Sequence, residues 1–217
     1  MEILVIVLGY LLGAMPFAYL ITRWAKGLDI RSLGTGNPGT ANVFRTVGLG
    51  PAIAVAPLDI GKGAAPVLLA RAASLSEGWA LAAGVAAVLG HCYSPYLRFR
   101  GGGGMSASIG TLLALMPLET AVMLPLLGLV YIVLTGSSTT GTVVGFSTLI
   151  GLAWWRGQPT VHILAPLVLM LLMGLRFLPH TIRTWQAAPN KSKLIYRSLI
   201  HKRRTRERHH EQSRRDH

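Results

Sequence analysis

The residues from Ile3 to Trp24, ILVIVLGYLLGAMPFAYLITRW, form an apolar run with no charged side chain before Arg23. A helix rises about 1.5 Å per residue, so about 20 residues cross a hydrocarbon layer of roughly 30 Å. This run therefore predicts one retained membrane helix. It does not read as a cleaved leader: Glu2 stands where a positive region is needed, the apolar stretch is too long, and no A-x-A site follows.

Further apolar segments cover 50–70, 79–97, 105–118, 121–136, 142–155 and 161–178. Together they predict an all-α polytopic membrane protein with about seven transmembrane helices. Five or six stay open, because Pro117, Glu119 and Pro125 interrupt the 105–135 region. Composition agrees: 51% of residues are hydrophobic and 13% charged, against roughly 25% charged in soluble domains. The 25 glycines suit helices that approach closely where water supplies no drive between them.

The net charge of +13 is unevenly spread, with twelve basic and three acidic residues from Arg176 to His217. We divide the chain into a membrane body, 1–180, and a basic tail, 181–217. A nucleic-acid partner would leave the apolar runs unexplained, so none is expected. The positive-inside bias puts Arg23, Lys26, Arg31, Arg45, Arg98, Arg100 and the tail in the cytoplasm, the tail near anionic membrane lipids. Arg71 with Glu77, Glu119 and Arg156 then fall outside. Cys92 is the sole cysteine and forms no intrachain disulfide. The tail histidines His209, His210 and His217 read as part of a solvated terminus, so no metal is assigned.

Three inner segments carry polar groups that packing does not require. In DIRSLGTGNPGTANVFRTVG, residues 29–48, glycines expose backbone N–H groups while Thr35, Gly36, Asn37, Asn42 and Arg45 offer donors that suit a phosphate. A solvent loop rich in turn formers is the alternative. In LDIGKG, residues 58–63, Asp59 and Lys62 share a helix face at i, i+3. Such a pair inside an apolar stretch marks either a functional interior or a bridge between helices. In LGHCYSPYLRFRGGGG, residues 89–104, His91 is a proton carrier or a helix cap, and Arg98 and Arg100 are ligands or interfacial anchors. The four glycines provide either flexibility or a close backbone approach.

In this order, GTGNPGTANVFRTVG, LDIGKG and GHCYSPYLRFRGGGG resemble the signatures of the bacterial acyl-phosphate-dependent glycerol-3-phosphate acyltransferase family. The resemblance covers almost the whole membrane body. It implies a multi-span fold with active-site loops on the cytoplasmic side of the inner membrane. It also implies transfer of a fatty acyl group from acyl phosphate to glycerol 3-phosphate, without a cofactor. Carried over residue by residue, Thr35, Gly36, Asn37, Asn42, Arg45, Lys62, His91 and Arg100 are expected at the substrate phosphates, with Asp59 and Lys62 as a charge pair. His180 is the expected proton acceptor, and Thr139 and Thr142 are expected to orient substrate. The chain departs from the family at Gly103 and Gly136, where the family has lysine and arginine. A looser likeness begins at His180, with Arg183 where asparagine is usual. These departures define a second reading, a catalytically impaired relative that binds anionic lipid or a membrane partner. A transporter is a third class, but no internal repeat is visible.

Overall fold

A computed structural model describes residues 1–129 and 138–186, the latter stretch without the side chains of 138, 139, 179–181 and 183–185. The helices among them are α1 (Glu2–Gly13), α2 (Phe17–Lys26), α3 (Thr40–Thr46), α4 (Leu49–Ala72), α5 (Glu77–Cys92), α6 (Met105–Leu115), α7 (Pro117–Leu129), α8 (Ser138–Trp155) and α9 (Thr160–Gln186). The chain is an all-α, multi-pass membrane protein. Four stretches are long and apolar enough to cross a bilayer: Glu2–Lys26, Leu49–Ala72, Glu77–Leu97 and Thr160–Leu178. Met105–Leu115, Pro117–Leu129 and Thr140–Trp155 are apolar but shorter. Helix length alone thus gives four crossings among the described residues, where the sequence predicts about seven.

The first segment, expected as one helix, is interrupted between α1 and α2. Pro16 has no backbone N–H to continue the helical ladder, and the carbonyls freed there find side-chain partners. Met15 O accepts from Lys62 Nζ at 2.7 Å, and Ala14 O accepts from Ser94 Oγ at 2.6 Å. In a medium without water an unsatisfied carbonyl is costly. The break is therefore also the joint that ties α1 to α4 and to the end of α5.

Small residues let the central helices approach. A Cβ at Gly110 would overlap the Ile60 carbonyl oxygen, and one at Gly63 would overlap that of Ala107, so α4 and α6 cross backbone to backbone. The same holds where α1 meets α5, at Gly13 against Ala87 and at Gly90 against Tyr10. Thr111 Oγ1 lies at the junction of three helices, 3.2 Å from Gly63 O, 3.4 Å from Gly84 O and 3.1 Å from Ala107 O. Carbonyl backbone cannot step aside as a side chain can, so Gly110→Val is expected to destabilise the bundle by about 1–3 kcal/mol. Thermal unfolding in detergent checks this; a variant as stable as the parent would show that the crossing loosens without cost.

At the end of the bundle reached by Arg71, a polar network joins three connections, α4–α5, α6–α7 and α8–α9. Arg71 Nε and Nη2 grip Glu77 at 2.9 and 2.8 Å, and its remaining donors reach Ala114 O and, at 3.0 Å, Leu115 O. Glu77 also faces His162 Nε2 at 3.1 Å, and His162 Nδ1 faces Gln158 Oε1 at 3.1 Å. Gln158 and Arg156 both donate to buried Glu119, at 2.8 and 2.9 Å. Arg71 thereby satisfies the terminal carbonyls of α6, which have no intrahelical partners.

Candidate active site

The opposite end of the bundle holds a cavity of about 1490 Å³. Two loops form most of its wall: residues 27–39 with α3, and residues 93–104. Tyr19 of α2, Met105 of α6, Leu127 of α7 and Arg176 and Phe177 of α9 complete it among the described residues.

Local polar contacts shape the first loop. Asp29 accepts from the Arg31 backbone N–H at 2.9 Å, capping a single 3₁₀ turn over Ile30–Ser32. The Arg31 guanidinium returns to the same carboxylate, with Nη2 at 2.7 Å and Nε at 3.0 and 3.1 Å. These charge-assisted bonds hold the Asp29 carboxyl below its usual range and raise Arg31. Arg31 Nη1 reaches Leu97 O at 3.2 Å, and its guanidinium lies 5.5 Å from the Tyr19 ring centre, so this residue clamps the two loops together.

Asn42 does the same within the first loop. Its Oδ1 accepts from Thr35 N at 3.0 Å, and its Nδ2 donates to Leu33 O at 2.9 Å and Ile30 O at 3.3 Å. Gly34 and Gly36 take φ of +53° and +71°, the left-handed region glycine enters without strain. Asn42 also lines the cavity, with its amide spent on the loop. Thr35, Gly36, Asn37 and Arg45 line the cavity too.

In the second loop the glycines serve close approach. Gly101 N donates to Cys92 O at 3.1 Å and Gly102 N to His91 O at 2.9 Å, folding the loop onto the end of α5. A Cβ at Gly101 would overlap His91 O, and one at Gly102 would overlap the His91 ring. A Cβ at Gly103 would fall 2.7 Å from Phe177 Cζ and 3.7 Å from Asn37 Nδ2, so Asn37, Gly103 and Phe177 converge. Arg98 and Phe99, at φ of +54° and +59°, make a left-handed turn, and Arg98 and Arg100 both line the cavity.

Beneath this loop, Asp59, Lys62, His91 and Ser94 border a void of about 10 Å³ that shares Leu97 and Gly102 with the large cavity. Lys62 Nζ pairs with Asp59 Oδ1 at 2.7 Å and lies 5.6 Å from the Phe17 ring centre. Apart from that ion pair, no hydrogen bond reaches either Asp59 oxygen, or His91 Nδ1, among the described residues.

The structure thus gathers Thr35, Gly36, Asn37, Asn42, Arg45 and Arg100 around one cavity, with Asp59, Lys62 and His91 behind its floor. Thr142 stands on α8 with its hydroxyl 3.9 Å from the sulfur of Met105, which lines the cavity. Thr139 and His180 belong to α8 and α9, and their side chains lie outside the described ones; Gly136 lies outside the described residues, as does the tail from 187 onward. Sequence reading did not single out Tyr19, Arg31, Arg176 or Phe177 as cavity residues. Among the described residues no cluster of His, Cys, Asp or Glu is arranged to hold a metal.

Among the described residues, five arginines and one carboxylate, Asp29, line the cavity, beside the apolar side chains of Leu97, Met105, Leu127 and Phe177. Such a lining fits an anionic group attached to an apolar chain.

A family model described as glycerol-3-phosphate acyltransferase matches residues 3–187. Glycerol-3-phosphate acyltransferase 1 of Deinococcus radiodurans is 48% identical over 132 residues, which span 61% of this chain and 62% of that relative's length. Glycerol-3-phosphate acyltransferase 1 of Dehalococcoides mccartyi is 33% identical over 195 residues, covering 88% of this chain and 94% of the relative. A crystal structure of PlsY, an integral membrane glycerol 3-phosphate acyltransferase in its glycerol 3-phosphate form, superposes with a TM-score of 0.75 at 25% identity, covering 85% of this chain and 92% of that one.

Proposed function

Because this chain belongs to the glycerol-3-phosphate acyltransferase family, we propose that it transfers a fatty acyl group from acyl phosphate to the sn-1 hydroxyl of glycerol 3-phosphate, forming lysophosphatidic acid. The observation that carries this reading is the arginine-lined cavity, whose apolar side suits the acyl chain and whose cations suit two phosphate-bearing substrates.

The chemistry needs no enzyme nucleophile. The glycerol hydroxyl oxygen attacks the acyl carbonyl carbon and the bond from that carbon to the phosphate oxygen breaks. Phosphate leaves with the electron pair, and the hydroxyl proton is transferred to a base. Catalysis then consists of alignment and of stabilising the charge that gathers on the carbonyl and leaving oxygens. Thr35, Asn37 and Arg45 receive glycerol 3-phosphate, with Gly36 and Asn42 shaping the loop, while Arg100 adds a cation from the second loop. Lys62 and His91 support that loop from below. His180, one turn beyond Arg176 on α9, is the proposed proton acceptor, and Thr139 and Thr142 on α8 are proposed to orient substrate.

The protein is read as residing in the bacterial inner membrane with the cavity and the basic tail on the cytoplasmic side, near anionic lipids. Supporting this are the unequal ends of the bundle: Arg31, Arg45, Arg98, Arg100 and Arg176 surround the cavity, whereas Arg71 and Arg156 at the other end pair with Glu77 and Glu119. Seven crossings are proposed. In favour of that count, Arg71 of α4 reaches the end of α6, Glu119 of α7 reaches the residue after α8, and Met105, Leu127 and Arg176 return to the cavity.

Purified protein in detergent or lipid, given acyl phosphate and glycerol 3-phosphate, is expected to form lysophosphatidate above a boiled control. No product, where a lysine-containing relative works, removes this reading. One feature favours the second reading, a relative that binds anionic lipid without turnover: at the position where the family has lysine stands Gly103, with Phe177 packed against it.

A further inference from the structure

The cavity's cations differ in how their charge is already used. Arg31 is neutralised by Asp29, and Lys62, behind the floor, by Asp59. Arg176 meets no carboxylate among the described residues. Its Nη2 donates to Gly101 O at 3.1 Å, its guanidinium lies 5.6 Å from the Tyr93 ring centre, and its buried Nε has no hydrogen-bond partner among the described residues. A partly buried cation with an idle donor is unfavourable until an anion arrives. The Gly101 carbonyl and the Tyr93 ring fix the guanidinium beforehand, so little is lost in ordering it when the anion binds.

The surroundings select which anion. Phe177 follows Arg176 and packs over Gly103, and Met105 and Leu127 line the same cavity from α6 and α7. Arg45 and Thr35 come instead from the polar first loop, and Asn37 stands where that loop meets Gly103. A substrate that carries both a phosphate and a long apolar chain matches the α9 side of the cavity; a small polyol phosphate matches the loop side.

We propose that Arg176 grips the phosphate of the acyl donor, at a subsite separate from the one where Arg45 and Asn37 receive glycerol 3-phosphate. This rests on the acyl-transfer reading above. As the acyl–oxygen bond breaks, negative charge accumulates on that phosphate, and Arg176 stabilises it. Gly103, by having no side chain, lets Phe177 and hence Arg176 approach the glycine loop.

The test compares the parent with R176Q, R176K and R45Q. Binding of decylphosphonate, a chain-bearing phosphonate that cannot transfer an acyl group, is measured beside binding of glycerol 3-phosphate, and thermal unfolding is followed in parallel. R176Q should weaken decylphosphonate by about tenfold to a hundredfold, the usual worth of a hydrogen bond to a charged group. It should leave glycerol 3-phosphate and the unfolding temperature unchanged, with R176K recovering part of the loss. R45Q should show the opposite preference. In turnover, R176Q should depress kcat/KM for acyl phosphate without raising KM for glycerol 3-phosphate. Decylphosphonate bound by R176Q as by the parent, or both ligands lost together, overturns the proposal. If R176Q does not fold, R176K decides: weakened phosphonate alone supports it, and unchanged binding overturns it. A parent that binds both ligands but makes no product defeats the acyl-transfer reading and leaves the Arg176 subsite standing.

Discussion

Arg45→Ala is expected to lower kcat/KM for glycerol 3-phosphate by about a hundredfold to a thousandfold, the usual loss when a positioned donor to developing charge is removed. Arg45 is in the short helix α3, exposed toward the cavity, and its backbone is fixed by the loop that Asn42 holds together. Arginine forms two parallel bonds to a phosphate, so Arg45→Lys keeps the charge but loses the fork and should recover only part of the rate. Because the side chain is exposed, the unfolding temperature should hold. Steady-state kinetics with each substrate varied separately provide the measurement. An alanine variant with unchanged turnover would show that glycerol 3-phosphate is held elsewhere.

Much of this site was visible in the sequence because its parts are local. Asp59 and Lys62 are three residues apart, and helical geometry alone brings them to one face; in the structure they touch at 2.7 Å. The first loop carries its own glycines, asparagines and Arg45 within twenty residues, and the cavity is built around it. For the second loop the sequence left flexibility and close approach equally open, and the structure decides for close approach, since the excluded atoms are His91 O and the His91 ring. Arg176 was not legible: an arginine at the end of an apolar run reads as an interfacial anchor, and only the packing of α9 brings it to Gly101 from 75 residues away. Phe177 was hidden for the same reason, as an aromatic residue among apolar neighbours. Hydropathy likewise took 3–24 as one helix, because it does not register that Pro16 lacks a backbone N–H or that the Ala14 and Met15 carbonyls at the break accept from Ser94 and Lys62 of distant segments.

Asp59→Asn is expected to destabilise the fold by about 3–5 kcal/mol, the usual cost of removing one member of a buried ion pair. Asp59 is 1% exposed and Lys62 8%, so the ammonium left behind has little access to water. Its remaining partners are the Met15 carbonyl at 2.7 Å and the Phe17 ring. Neither supplies a countercharge. Lys62 also satisfies the break between α1 and α2, so the damage extends from α4 to the first segment and, through His91 and Gly102, to the glycine loop. Removing both charges together, in Asp59→Asn with Lys62→Met, should cost less than Asp59→Asn alone, because no unpaired charge is left in the interior. Thermal unfolding of the two variants in the same detergent tests this. A double variant less stable than Asp59→Asn would mean that Lys62 matters chiefly for the Met15 carbonyl and not for Asp59. In Asp59→Asn, turnover should fall with the folded fraction while KM for glycerol 3-phosphate stays constant; a raised KM at full folding would instead put Asp59 in direct contact with substrate.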